Sequence, residues 1–339
     1  MEQQVYITKP TQLLNNKGEL LNPGYATQML YKYNRSCVAG SPFGLKEWDF
    51  YQISLDKWVL QLVMGHVSYM ASFSATLFSL ESEERYNFTQ MRPLPMRSIP
   101  MSLTPNEPHV QSVKGKHFSM AFEVVQECRV LSLQGKDKNG TVDISLTLPH
   151  IHEDESMVIA TPFRKPKQFY LNCKEHFYGV QGYARFGNIT ISATGKETAL
   201  LDWGRGVWPY HQEWFWGCGA GYQAGGRFGF NIGWGFGNLS YASENMFFWN
   251  GKSYKLGTLK VQRDKNNYMA PWHFISDDGY LDMIMTPIYD NVTQTKVAFV
   301  NNRCHQVFGY FSGSAILPDG KVIHIKELLA FCEHAINNW

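Results

Sequence analysis

Apolar and polar residues alternate in short runs along most of the chain. Trp48-Asp49-Phe50-Tyr51-Gln52-Ile53, Trp58-Val59-Leu60-Gln61-Leu62-Val63, Ser119-Met120-Ala121-Phe122-Glu123-Val124 and Val142-Asp143-Ile144-Ser145-Leu146-Thr147-Leu148 carry the short period expected of pleated, half-buried strands. Turn chemistry lies between such runs: Asn16-Lys17-Gly18, Asp137-Lys138-Asn139-Gly140, Asp277-Asp278-Gly279 and Pro318-Asp319-Gly320. Gly and Asn tolerate the φ values of tight reversals, and Asn139-Gly140 is the sharpest hairpin signal. Amphipathic helical stretches are not interleaved with the strands, which favours antiparallel sheets packed as sandwiches or closed as barrels over a parallel α/β fold. One segment stays open. Leu328, Phe331, Cys332 and Ile336 share a helical face, yet Glu327 to Phe331 equally finishes a strand.

Two stretches break the alternation. Met91 to Pro108, with prolines at 93, 95, 100, 105 and 108, cannot donate regular ladder bonds and reads as a long loop. Between Pro149 and Lys167 lie the acidic run His150-Ile151-His152-Glu153-Asp154-Glu155 and the basic, proline-bracketed run Pro162 to Lys167. A domain boundary is expected there, giving barrel-like halves over 1–160 and 161–339, the second carrying the site. The expected class is all-β and antiparallel, two lipocalin-like barrels or barrel-like sandwiches in tandem.

Composition narrows the function classes. With 339 residues, 44% hydrophobic and 18% charged against roughly 25% charged in an average globular protein, the chain is rich in core formers. Lys plus Arg total 31 and Asp plus Glu 29, a formal charge of +2, too little for the basic stripe a nucleic acid requires. No uninterrupted apolar run approaches the roughly 18 residues of a spanning helix, and no secretory leader is visible, so a cytoplasmic protein is expected. The six cysteines lack C-x-x-C spacing and are expected to be reduced, packed thiols. His150 and His152 beside the acidic run are expected to form a solvated loop and no metal site, and the Gly-rich strings lack phosphate-loop spacing. No cofactor is expected, and the oligomeric state is left open.

The densest candidate chemistry lies in residues 201–245. Five tryptophans (Trp203, Trp208, Trp214, Trp216, Trp234) stand among glycines, with Asp202 and Arg205 three apart, then Tyr210, His211, Glu213, Asn231 and the pair Glu244-Asn245. One reading is a Gly- and Trp-rich wall with a structural Asp202–Arg205 ion pair. The other is an aromatic-walled pocket for a small molecule, with Arg205, Trp203, Trp208, Tyr210, His211, Trp214, Trp216, Asn231, Asn245 and Trp272 as binding residues. In that reading Asp202 is a base or orienting anion held by Arg205. Glu213 or Glu244, set among rings, is the proton donor with a raised pKa.

At these residues, and at Leu45-Lys46-Glu47-Trp48-Asp49, Asp202-Trp203-Gly204-Arg205-Gly206-Val207-Trp208-Pro209-Tyr210, Phe230-Asn231-Ile232-Gly233, Gly235-Phe236-Gly237 and Pro271-Trp272, the chain resembles the bacterial and fungal family called domain of unknown function 2804. The likeness runs nearly end to end. It implies no activity. A more distant resemblance, to proteins with two lipocalin-like barrels that include carotenoid hydratases, implies the tandem architecture and transfers no substrate. Two function classes follow: an acid–base enzyme (hydratase, cyclase or hydrolase) acting on a small apolar or sugar-like molecule, or a non-catalytic carrier of a hydrophobic ligand. A glycoside hydrolase using a carboxylate pair is a further alternative.

Overall fold

The computed structural model describes residues 4–126, 128–151, 153–297 and 300–338. Three large sheets account for most of it. The first has eight strands in the order Gly24–Ala26, Met157–Pro162, Phe169–Tyr178, Thr198–Val207, Leu45–Leu55, Trp58–His66, Met70–Ser79 and Arg85–Pro93. The second has six: Ile189–Ser192, Gln181–Phe186, Gly140–Pro149, Cys128–Asp137, Phe118–Val125 and His109–Gly115. The third has nine: Lys252–Lys255, Met246–Trp249, Gly226–Trp234, His211–Gln223, Val322–Asn338, Val300–Ile316, Leu281–Val297, Trp272–Ser276 and Leu259–Gln262. Neighbours within these sheets pair antiparallel, and a short Thr11–Gln12 and Tyr31–Lys32 pair is parallel. No helix among the described residues is long and apolar enough to cross a membrane.

The expected strand runs all fall inside strands, and Asp137 pairs with Gly140 across the predicted hairpin, where Gly140 adopts φ +125°. Residues 94–108 between two strands form most of the predicted long loop, but Met91, Arg92 and Pro93 end the strand Arg85–Pro93, where they pair with Ser72, Ala71 and Met70. The open C-terminal segment is a strand, Val322–Asn338, lying between two others in the nine-stranded sheet. Its apolar residues pack against neighbouring strands on both faces, an arrangement periodicity alone does not separate from a buried helix.

Alternation explains the layering. Leu45, Tyr51, Ile53, Leu171, Leu201 and Trp203 turn inward to meet Phe122, Leu131, Leu133 and Ile144 of the six-stranded sheet in one core. The nine-stranded sheet encloses a second core on one of its own faces, with Phe228, Phe230, Trp272, Met283, Phe311 and Ile325 drawn from strands across its width. A sheet whose single face packs on itself must be curled, so this unit is a half-barrel. Its other face packs on the first sheet through Val59, Phe78, Trp216, Phe308 and Phe331 and through Met157, Tyr170, Trp208 and Phe248. The first sheet is therefore a middle layer. Every residue of Phe169–Tyr178 is buried, and so are eight of the ten in Thr198–Val207.

The passage from the first two sheets to the third lies between Val207 and His211. The composition break at 149–167 covers a loop and the strand Met157–Pro162, which belongs to the first sheet. Hydrogen-bond pairing divides the chain at residues 208–210, because the strands of 157–207 complete the first pair of sheets.

Candidate functional site

The two strongest motifs are neighbouring strands. Leu45–Leu55 pairs with Thr198–Val207 so that Glu47 lies opposite Arg205, Trp48 opposite Gly204 and Asp49 opposite Trp203. Side chains alternate across a strand, so residues three apart face opposite ways. This corrects the expected Asp202–Arg205 pair. Arg205 and Trp203 point into the first core. The Arg205 guanidinium donates to Asp49 Oδ1 at 2.8 Å, to the Trp48 carbonyl at 2.7 Å and to Ser102, and lies 4.0 Å over the Trp203 ring. Its Nε is 3.8 Å from Glu47 Oε1. Glu47 also accepts from Tyr33 and contacts Arg35 and His66. Burial alone raises the Glu47 carboxyl, but the His66 hydrogen bond and the two guanidiniums outweigh it and hold it at about 2. Arg205 and Trp203 are thus parts of a sealed ionic core, apart from Asp202.

Asp202 faces the nine-stranded sheet. On that side of its strand follow Gly204, Gly206 and Trp208, and the two glycines form a shelf. A Cβ on Gly204 would lie 2.2 Å from Trp48 Cζ2, and one on Gly206 3.1 Å from the Trp208 ring. The Trp48 indole crosses Gly204, and its Nε1 donates to Asp202 Oδ2 at 3.3 Å. Trp48, Tyr170, Trp208 and Phe236 pack in a mostly edge-to-face cluster with centroids 4.9–5.9 Å apart. Gly204→Ala should therefore displace Trp48 and cost about 1–3 kcal/mol, as overpacking does. An unchanged thermal unfolding midpoint would show the ring has room to yield.

The strand beside it supplies the remaining partners. Asn172 Nδ2 donates to Asp202 Oδ1 at 2.6 Å, and Lys174 Nζ donates to Asn172 Oδ1 at 2.6 Å. The same ammonium reaches Glu244 Oε2 at 3.1 Å and Asp202 Oδ1 at 3.7 Å, and sits 4.6 Å over the Trp216 ring. Burial pulls the Lys174 amine down, but the two carboxylates outweigh it and hold it above its ordinary value. On the facing wall Trp216 Nε1 donates to Asn231 Oδ1 at 2.8 Å, and Asn231 Nδ2 donates to the Glu244 carbonyl at 2.9 Å. Gly233 leaves room for the Glu244 carboxylate and donates its N–H to Asn245 Oδ1 at 2.9 Å. Asn245 is buried next to Glu244 and bonded to the backbone at Gly233 and Gly257. The Asp202 and Glu244 side chains keep 11% and 12% of their surface open. Both carboxylates therefore keep some contact with solvent.

A third carboxylate completes the cluster. Glu333 Oε1 accepts from Trp214 Nε1 at 2.9 Å, and Oε2 lies 3.8 Å from Cys304 Sγ. Burial first, then the charge of Asp202, pushes its carboxyl up to about 7 against the opposing Trp214 hydrogen bond and Lys174. Tyr170, buried near Asp202, Glu244 and Glu333, is pushed well above its ordinary value by burial and by those charges, so its phenol stays protonated. Deeper in the interface Cys218 Sγ lies 3.1 Å from His176 Nε2. Burial raises the thiol and lowers the imidazole to about 3, which keeps both neutral and leaves Cys218 a packed thiol. All six cysteines are free, and Cys173, Cys218 and Cys332 are buried.

Other expected site residues stand elsewhere. Glu213 lies on the opposite face of its strand from Trp214 and Trp216, half-exposed, paired with His334 Nε2 at 2.8 Å. His211 is exposed and bonds Asn338 Oδ1 at 2.9 Å. Trp272 is fully buried in the half-barrel core, its Nε1 donating to the Tyr268 carbonyl at 3.0 Å. Tyr210 is exposed at the rim of a surface cleft that Trp208 lines. His152 lies outside the described residues. Sequence reasoning missed Trp48 as a site residue, and Tyr170, Asn172, Lys174 and Glu333 altogether. A signal was present: Tyr170, Asn172, Lys174 and His176 occupy alternate positions of one strand. Such a polar face normally meets water, and only the third sheet makes it a buried one.

A family model described as a domain of unknown function, DUF2804, matches residues 4–339. The chain belongs to this family. The motifs that carried the resemblance are the two paired strands and the Asn231, Gly233 and Glu244 wall described above. A search of curated proteins finds no match. Among solved structures, kievitone hydratase from Nectria haematococca is similar at 10% identity and TM-score 0.51, over 87% of this chain and 88% of that one. CghA, solved with Sch210972, is similar at 9% identity and TM-score 0.55, over 97% of both chains. At such identities the likeness is one of fold, and the DUF2804 chain shares the tandem, lipocalin-like β-architecture of these proteins.

Proposed function

We propose that the polar cluster of Asp202, Lys174, Glu244 and Glu333 between the first sheet and the half-barrel is the active site of an acid–base enzyme that moves protons on a small, partly apolar molecule, as a hydratase or cyclase does. The observation that carries this reading is the contrast between two carboxyl groups in one cluster. Glu333 is pushed up to about 7 by burial, whereas Asp202 accepts hydrogen bonds from Asn172 and Trp48 with the Lys174 ammonium beside it. A group that can give a proton then stands near one already held as a hydrogen-bond acceptor. Glu333 is the proton donor, and Asp202 is the base or the anion that orients a water. Glu244 is the counter-charge that holds Lys174. This moves the donor role from Glu213, which is half-exposed on the other face of its strand, and from Glu244, which is engaged by an ammonium. Trp48, Trp214 and Trp216 give the substrate apolar walls, and their ring faces can stabilise developing positive charge by about 0.5–2 kcal/mol each. Hydration by a protein of this fold, kievitone hydratase, is chemistry of the same kind.

The test is a turnover screen of the whole chain against a small-molecule metabolite mixture, read by mass spectrometry. A hydrated product is one water heavier, and a cyclised product keeps its mass and changes retention. With the reaction found, Glu333→Gln and Asp202→Asn should each lose about 10²–10⁴ in rate. The wild-type rate should fall as pH rises through about 7, because the donor must be protonated. Full activity in both variants would overturn the reading.

A further inference from the structure

Beside the aromatic cluster the surface opens into a cleft of about 610 Å³. Trp208 and Val207 line it, with Phe43 and Lys46, and Lys165 and Lys167 come from the loop that precedes Phe169–Tyr178. Lys46 is on the same face of its strand as Trp48 and is 3% exposed. Among the described residues its ammonium makes one hydrogen bond, a 3.5 Å contact to the Gly44 carbonyl, and it lies 5.0 Å over the Trp208 ring. An ammonium has three donors, and a buried one left short of acceptors is costly. Burial pulls this amine down to about 8.

Lys174, also buried, and Lys255, partly buried, are built differently. Lys174 has Asn172 Oδ1 and Glu244 Oε2 within 3.1 Å. Lys255 donates to Ser243 Oγ at 3.0 Å and to the Asn245 carbonyl at 2.7 Å. Lys46 lacks such acceptors on a wall of the cleft. The one carboxylate lining the cleft, Glu19, is held by Asn15 Nδ2 at 2.9 Å. Among the described residues it makes no ion pair with Lys46. The cleft thus gathers three lysines against one carboxylate around an apolar floor.

We propose that this cleft binds a small organic acid, whose carboxylate supplies the missing acceptors of Lys46 while its apolar body lies on Trp208, Val207 and Phe43. A carboxylate offers two acceptor oxygens, and taking up a buried ammonium's unmet donors is the charge-assisted hydrogen bond with most to gain. The exposed Lys165 and Lys167 add positive potential at the mouth, which raises the on-rate for anions and falls with salt. The inference concerns binding at residues other than Asp202 and Glu333, so it does not rest on the acid–base reading. Its failure would leave that reading as it stands.

Isothermal titration calorimetry of the whole chain tests it, with cinnamate and decanoate as probes and the uncharged cinnamamide as control. At least one acid should bind, and cinnamamide should bind at least tenfold more weakly than cinnamate if cinnamate is the one. Lys46→Met, which keeps the side-chain volume without the charge, should weaken acid binding at least tenfold while the thermal midpoint stays at or above that of wild type. Lys46→Arg should retain binding, a rescue that a merely space-filling role would not distinguish from methionine. Three results would each overturn the proposal: no heat from either acid at about 10 mM, cinnamamide binding as tightly as cinnamate, or undiminished affinity in Lys46→Met.

Discussion

Arg205→Met should lower the unfolding free energy by about 3–5 kcal/mol, the usual cost of breaking a buried ion pair by removing one partner. Asp49, 3% exposed, would lose its ion-pair partner. Glu47 would keep Arg35, His66 and Tyr33 but lose one of the charges that hold its carboxyl low. Urea unfolding measures the difference, and a shifted midpoint with an unchanged slope would assign it to the folded state. Asp202→Asn, on the other face of the same strand, removes no charge from this core. A stability loss in Asp202→Asn as large as in Arg205→Met would contradict the assignment of the two residues to separate networks.

Glu333→Gln should have the opposite effect on stability, and the effect should grow with pH. The folded-state pKa of about 7 lies above the ordinary 4.5, so the folded protein holds this proton after the unfolded chain has released it. Stability is then lost as pH rises from about 4.5 to about 7 and stays lost above it, by up to roughly 3 kcal/mol for a shift of this size. Glutamine carries no charge to bury. The variant should match wild type near about pH 4 and exceed it by up to roughly 3 kcal/mol near about pH 8. An equal difference at both pH values would mean that Glu333 ionises as an ordinary carboxyl. A residue that destabilises its own protein at neutral pH while retaining a proton suits a site where acid chemistry is kept at the expense of folding free energy.

The strands were legible because a pleated surface with one apolar face writes itself as a period of two. The same period hid the site. Asp202 and Arg205 look like a pair on the page, yet three residues along a strand is an odd number, and they serve different cores. Glu213 and Trp214 are adjacent in sequence and face opposite sides for the same reason. Asn172 and Lys174 lie outside residues 201–245 and meet Asp202 through the neighbouring strand of the first sheet, whereas Glu333 joins them only when the half-barrel covers that sheet. Gly204 and Gly206 were visible as an oddity in a strand. Their purpose depends on Trp48, which lies far from Gly204 in the chain and directly opposite it in register.

The strand Thr198–Val207 contributes to two cores and is the last strand before the chain crosses to the third sheet. During synthesis it emerges, with the rest of the first two sheets, while the half-barrel is still to be made. At about 5–20 residues per second that remainder takes on the order of 10 s. For that interval Trp48, Tyr170 and Trp208 have no partner sheet, and the ammonium of Lys174 has Asp202 and Asn172 but not Glu244. A polar stripe among these rings keeps water on that face, which makes association of two nascent chains through it less favourable.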